Sequence, residues 1–130
     1  MRTDAQSVGD DAESAVADRL AEAGWTVLAR NVRVGRGELD VIAVDPGPPR
    51  MLVIVEVRWR RSRAFGLAEE TIDHRKRRHL RAAIGRLLED GLPGGTPPPN
   101  LPIRVDLVVV EPPVDASDPV RIRHHRAIPL

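Results

Sequence analysis

At 130 residues, 42% of them hydrophobic and 30% charged, the chain has the length and composition of a single globular domain, 1–130, with a substantial core. It contains no cysteine, which excludes disulfides and thiolate metal sites. It has no apolar run near the roughly 20 residues of a membrane span, and its polar start lacks the apolar centre of a signal peptide, so a cytoplasmic protein with no membrane partner is expected.

Residues 1–8 show no periodicity and read as a loose tail. Asp10 and Asp11 can cap a helix whose apolar positions Ala12, Ala15, Val16, Leu20 and Ala23 recur at helical spacing until Gly24. Glu13 lies beside that apolar stripe. It either leans towards a site or is an acid favoured by the helix dipole in the first turn. Trp25 to Asn31 reads as a short strand, and Gly35 and Gly37 turn the chain into a second, Glu38 to Val44. A Pro- and Gly-rich loop of about six residues then leads to a third strand, Met51 to Arg58, and the simplest pairing is an antiparallel meander.

The segment Arg58 to Arg86 holds ten basic and three acidic residues, so the overall net charge of +1 conceals a strongly basic block within an otherwise acidic chain. Nineteen of the twenty basic residues are arginine, and Lys76 is the one lysine. After an irregular basic stretch, a helix is predicted from about Ala68 to Leu88, with Arg75, Lys76, Arg77, Arg78 and Arg81 on its polar side. Residues 89–102 carry five of the twelve prolines and read as a loop. Ile103 to Val110 is mostly apolar and reads as a central strand, parallel to its neighbour because a crossover helix precedes it. Val120 to His125 is a weaker last strand.

Two acids sit in apolar company: Asp40 within Glu-Leu-Asp-Val-Ile, and Glu56 within Val-Ile-Val-Glu-Val. An ionised carboxylate there costs free energy unless it is paired or binds a cation. Alternation along a strand places Glu38, Asp40 and Ile42 on one face of the second strand, and Ile54, Glu56, Arg58 and Arg60 on one face of the third. With no cysteine and no paired histidines nearby, the chemistry favours a hard cation held by oxygen, Mg²⁺ or Mn²⁺. Asp40 and Glu56 would hold it, with the Val57 carbonyl as a third ligand. Such a cation activates water and, with a nearby guanidinium, stabilises charge on a phosphodiester under attack. His74, His79, His124 and His125 lack zinc-site spacing and read as surface residues. Trp25 and Phe65 read as core, Trp59 as either core or interface, and Asp106 as the structural partner of Arg104 or another arginine.

The ordered set Gly9 and Glu13, Leu20 and Gly24, Asn31 and Arg33, Gly37-Glu38-Leu39-Asp40, Val55-Glu56-Val57-Arg58-Trp59-Arg60, Phe65-Gly66, Lys76, Arg104-Val105-Asp106 and His124 to Ile128 resembles the uncharacterised YraN-like bacterial proteins. That family is assigned to the PD-(D/E)XK, or restriction-endonuclease-like, nuclease superfamily and is similar to archaeal Holliday-junction resolvases. The resemblance implies that Asp40 and Glu56 are the motif acids and that Glu13 is an auxiliary metal ligand from the first helix. Arg58 falls where the motif has lysine. Arginine can stabilise phosphate charge but is a poor proton acceptor.

The expected fold is therefore α/β and restriction-endonuclease-like: a central mixed sheet of about five strands flanked by helices, with the acids gathered at one edge. The expected function is Mg²⁺- or Mn²⁺-dependent endonuclease cleavage of DNA, including branched or structured DNA. Asp40, Glu56 and Arg58 would be catalytic, and Arg60, Arg61, Arg63, Lys76 and Arg78 would contact the phosphate backbone. A resolvase-like role would favour a homodimer. The alternatives are a non-catalytic nucleic-acid-binding module on the same fold and a protein-interaction scaffold.

Overall fold

The β-rich middle of the chain forms one five-stranded sheet in the order β1-β2-β3-β4-β5. In this computed structural model, residues 4–60, 72–115 and 117–130 are described, with side chains from Asp11 onward. The elements are α1 (Asp4–Glu22), β1 (Thr26–Val34), β2 (Gly37–Asp45), β3 (Met51–Trp59), α2 (His74–Asp90), β4 (Ile103–Glu111) and β5 (Arg121–His125). β1, β2 and β3 are an antiparallel meander. β4 joins β3 in parallel after the α2 crossover, and β5 closes the sheet antiparallel to β4. This mixed sheet with its two helices is consistent with the restriction-endonuclease-like fold. No helix among the described residues is long and apolar enough to cross a membrane.

The helices cover opposite faces of the sheet. On α1, Ala12, Val16 and Leu20 recur every fourth residue and pack on Val41, Ala43, Val53, Val55, Val57, Val108 and Val110. On α2, Leu80, Ala83, Ile84 and Leu87 pack on Leu39, Ile42, Leu52 and Ile54. Along β3 the alternation is regular, with odd-numbered valines under α1 and Leu52 and Ile54 under α2. Along β2 it slips at Asp40: Leu39 and Ile42 both face α2, while Val41 and Ala43 face α1. Ile42 is thus on the face opposite the one expected for it, because strict alternation does not survive the distortion at Asp40.

Several boundaries differ from the sequence reading. α1 starts at Asp4, so residues 4–8 are helical and Asp10 and Asp11 lie inside the helix rather than capping it. Extending an existing helix adds one hydrogen bond per residue and needs no buried face, so apolar periodicity does not mark this start. β1 continues to Val34 through Asn31, which at φ 51° adopts the left-handed conformation that asparagine tolerates better than most residues. The register also shifts between Val27 and Ala29. α2 begins at His74, capped by Asp73, whose side chain accepts the Lys76 N–H. It ends at Asp90, where Gly91, at φ 85°, donates to the Leu87 carbonyl. Ile72 and Asp73 are not helical, and the expected start at Ala68, like Phe65, lies outside the described residues.

Trp25 is buried in the core, as expected, and Trp59 packs against the α1-side cluster. Asp106 is fully buried and paired with Arg104, whose Nε lies 2.8 Å away. His124 Nε2 approaches the same carboxylate at 2.8 Å, and the Ala127 N–H donates to it at 3.0 Å. His124 and His125 are therefore half-buried on β5, not surface residues, whereas His74 and His79 are exposed.

Candidate active site

The distortion at Asp40 coincides with an opening between two strands. The β2–β3 ladder runs from Asp45↔Met51 to Val41↔Val55 and stops there. At the next position, Asp40 Oδ2 accepts the Val57 N–H at 2.9 Å, so a side chain takes the place of a backbone carbonyl. The acids lie at this opening, at one end of the sheet and between its second and third strands. That differs from the expected edge placement: where two interior strands part, carboxylates of β2 and α1 reach one another, with Glu56 of β3 near enough to act on Asp40.

Glu13 arrives from α1, at the start of the buried stripe, and is itself buried. Its carboxylate and those of Glu38 and Asp40 each place an oxygen within 4.8 Å of the other two. Glu38 is not among the residues expected to hold a cation. It lies two residues from Asp40 on the same strand, and that spacing was the signal that could have added it. Glu56 stands apart from this trio. It shares the α2-facing side of β3 with Ile54, and Lys76 Nζ reaches its Oε1 at 3.0 Å while Arg58 Nη1 reaches the same oxygen at 3.1 Å. Both cations are half-exposed, whereas the Glu56 side chain is 3% exposed.

The electrostatics reflect this crowding. Burial, then the negative charge of Glu56, push the Asp40 carboxyl up from 3.8 to about 8, against the opposing Val57 N–H and the Lys76 charge. Burial also raises Glu13, partly offset by its hydrogen bond with Asp40. Two carboxylate oxygens, Glu13 Oε2 and Glu56 Oε2, are buried without a hydrogen-bond partner. Buried polar atoms of this kind are costly and call for an explanation such as an ion. An all-oxygen donor set with orphaned carboxylate oxygens fits a hard divalent cation.

The remaining expected residues divide. Val57 donates its N–H to Asp40, and its side chain lies in the α1-side core. Arg60, half-buried, follows β3 and donates its backbone N–H to the Val110 carbonyl. Arg78 is exposed on α2, while Arg61 and Arg63 lie outside the described residues. Lys76, expected on the phosphate-binding face, is drawn onto Glu56 instead of standing free on the helix surface. α2 also exposes Arg75, Arg81 and Arg86, so its solvent side is strongly basic next to the acids.

Comparison with known proteins finds relatives that match most of the chain. It is 43% identical over 105 residues to a UPF0102 protein of Symbiobacterium thermophilum, covering 81% of this chain and 82% of that protein. It is 39% identical over 117 residues to a UPF0102 protein of Roseiflexus castenholzii, covering 90% and 88%. A UPF0102 protein of Kineococcus radiotolerans is 39% identical over 118 residues, covering 91% and 89%. The YraN-like proteins that the sequence motifs resemble are this same family. With its family model matching residues 12–110, from within α1 to the end of the β4 core, the chain belongs to the uncharacterised protein family UPF0102.

Proposed function

We propose that the chain is a divalent-cation-dependent endonuclease that hydrolyses DNA phosphodiester bonds, with branched or otherwise structured DNA within its substrate class. The observation that carries the reading is the opened β2–β3 ladder, where Asp40 replaces a backbone partner of Val57 and meets Glu13 and Glu38 while Glu56 lies across the gap. A fold gains nothing in stability by burying acids together. Sites that do so and place cations alongside suit a reaction on a phosphate.

Asp40, Glu13 and Glu38 would hold Mg²⁺ or Mn²⁺, with Glu56 across the gap, and the cation when bound would polarise water and neutralise phosphoryl charge. The chain's own residues supply the rest. The Val57 N–H orients Asp40, Arg58 and Lys76 provide positive charge beside Glu56, and the α1 and α2 cores hold both strands rigidly around the gap. Hydrolysis consumes one water: its oxygen bonds to phosphorus, one ester P–O bond breaks, and the departing oxygen takes up a proton. The basic solvent face of α2, including Arg78, would bind the flanking phosphates without reading bases.

The test is cleavage of supercoiled, linear and four-way-junction DNA with Mg²⁺ or Mn²⁺, beside an Asp40→Ala, Glu56→Ala double variant. Cation-dependent product from the wild type alone is the expected result. Salt-dependent DNA binding without product would identify a non-catalytic binding module, and binding indifferent to salt, or absent, would favour a protein scaffold.

A further inference from the structure

The wild-type site contains two cations on one carboxylate oxygen, and they are not equivalent. Arg58 comes from β3, two residues beyond Glu56, with a planar guanidinium whose Nε is buried without a hydrogen-bond partner. Lys76 comes from α2, where Asp73 caps the helix and accepts the Lys76 N–H at 2.9 Å, fixing the residue in the first turn. Its Nζ then lies 3.0 Å from Glu56 Oε1. The first turn of a helix also presents unpaired N–H groups and a positive potential, which favour an anion at that end.

Composition makes this placement informative. In a chain with nineteen arginines, the one lysine sits against the buried acid of the candidate site. Arginine satisfies most surface needs for positive charge, and this chain uses it everywhere else. A compact ammonium offers three rotatable donors at a single point, which a flat, longer guanidinium fork does not reproduce. Lys76 is 28% exposed, so a phosphate entering from solvent can reach it while it stays in contact with Glu56.

We infer that Lys76, delivered by α2 onto Glu56, and not Arg58 on β3, is the catalytic cation of the site: its ammonium donates a hydrogen bond to the phosphoryl oxygen on which charge develops, while Arg58 clamps Glu56. No proton need leave the ammonium for this role. The inference rests on the endonuclease reading and assigns one of its working parts. It also supplies, from a different element, the ammonium that arginine at position 58 does not.

The experiment compares the wild type, Lys76→Arg and Lys76→Met in the full chain. A fluorescently labelled four-way junction and a linear duplex serve as probes, with Mg²⁺ or Mn²⁺. Single-turnover cleavage at saturating protein, DNA affinity and melting temperature are measured for each. Loss of one donor to a developing oxyanion costs about 10²–10³ in rate. Lys76→Met should therefore slow cleavage by about 100-fold or more while DNA affinity falls only a few-fold. Lys76→Arg keeps the charge and the fold, and should still lose at least about tenfold in rate. If Lys76→Arg cleaves within about threefold of the wild type, or if rate and affinity fall in parallel, the catalytic assignment is wrong and the nuclease reading survives. If the wild type cleaves neither DNA, both fail together.

Discussion

Asp40→Asn should make the protein more stable while removing its activity. Asp40 is carried from 3.8 to about 8 by burial and by Glu56, so at neutral pH the folded chain must take up a proton that the unfolded chain lacks. The contribution of Asp40 to stability is intact below about pH 4 and is lost as pH rises through about 8. At pH 7 the cost is at most about 4 kcal/mol, taking about 1.4 kcal/mol per unit, and relaxation of the site reduces it to about 2–4 kcal/mol. Asparagine has none of this cost, since its carbonyl can still accept the Val57 N–H and its amide can donate to Glu13. At about 4 °C per kcal/mol for a chain of this size, the variant should melt roughly 8–16 °C higher in chelator at pH 7. The assay is thermal or urea unfolding from pH 5 to 8.5, with EDTA and then with Mg²⁺. Wild-type stability should fall across that range more steeply than that of the variant, and saturating cation should narrow the gap by stabilising the wild type alone. An Asp40→Asn variant no more stable at pH 7, or one with the wild-type pH slope, would refute the claim that the site stores electrostatic strain.

Two further variants have defined outcomes. Asp106→Ala should cost about 3 kcal/mol, because it leaves the half-buried Arg104 with Asp45 alone and removes the buried partner of His124. Burial alone would raise the Asp106 pKa, but His124, Arg104 and the Ala127 N–H outweigh it and hold the carboxyl at about 2. The stability that Asp106 confers is thus full above about pH 4 and lost as pH falls through 2, and acid titration of the two proteins should converge there. Asp73→Ala should cost about 1 kcal/mol through loss of the α2 cap. It should also slow cleavage at temperatures where the protein remains folded, since the cap sets the turn that carries Lys76; a variant with lower stability and unchanged rate would show that the cap does not position the lysine.

The sequence by itself determined the strands, their meander and the parallel return through a crossover helix, because these follow from apolar alternation, loop length and the reach of a chain. It also determined that Asp40 and Glu56 need a reason to be where they are, since a carboxylate among valines and isoleucines is costly in any fold. It could not say where α1 starts, because Asp4 to Asp10 extend a helix without a periodic apolar face to announce them. Nor could it show that alternation slips at Asp40, which sends Ile42 to the other face and opens the ladder beside Val57; register distortions depend on both partner strands at once. Glu38 and Lys76 lay in plain view, one read only as a neighbour of Asp40 and the other as part of a basic face. Only the tertiary structure brought the first to Glu13 and the second to Glu56, because those meetings join residues from α1 to β2 and from β3 to α2, separations across which neither period nor composition carries information.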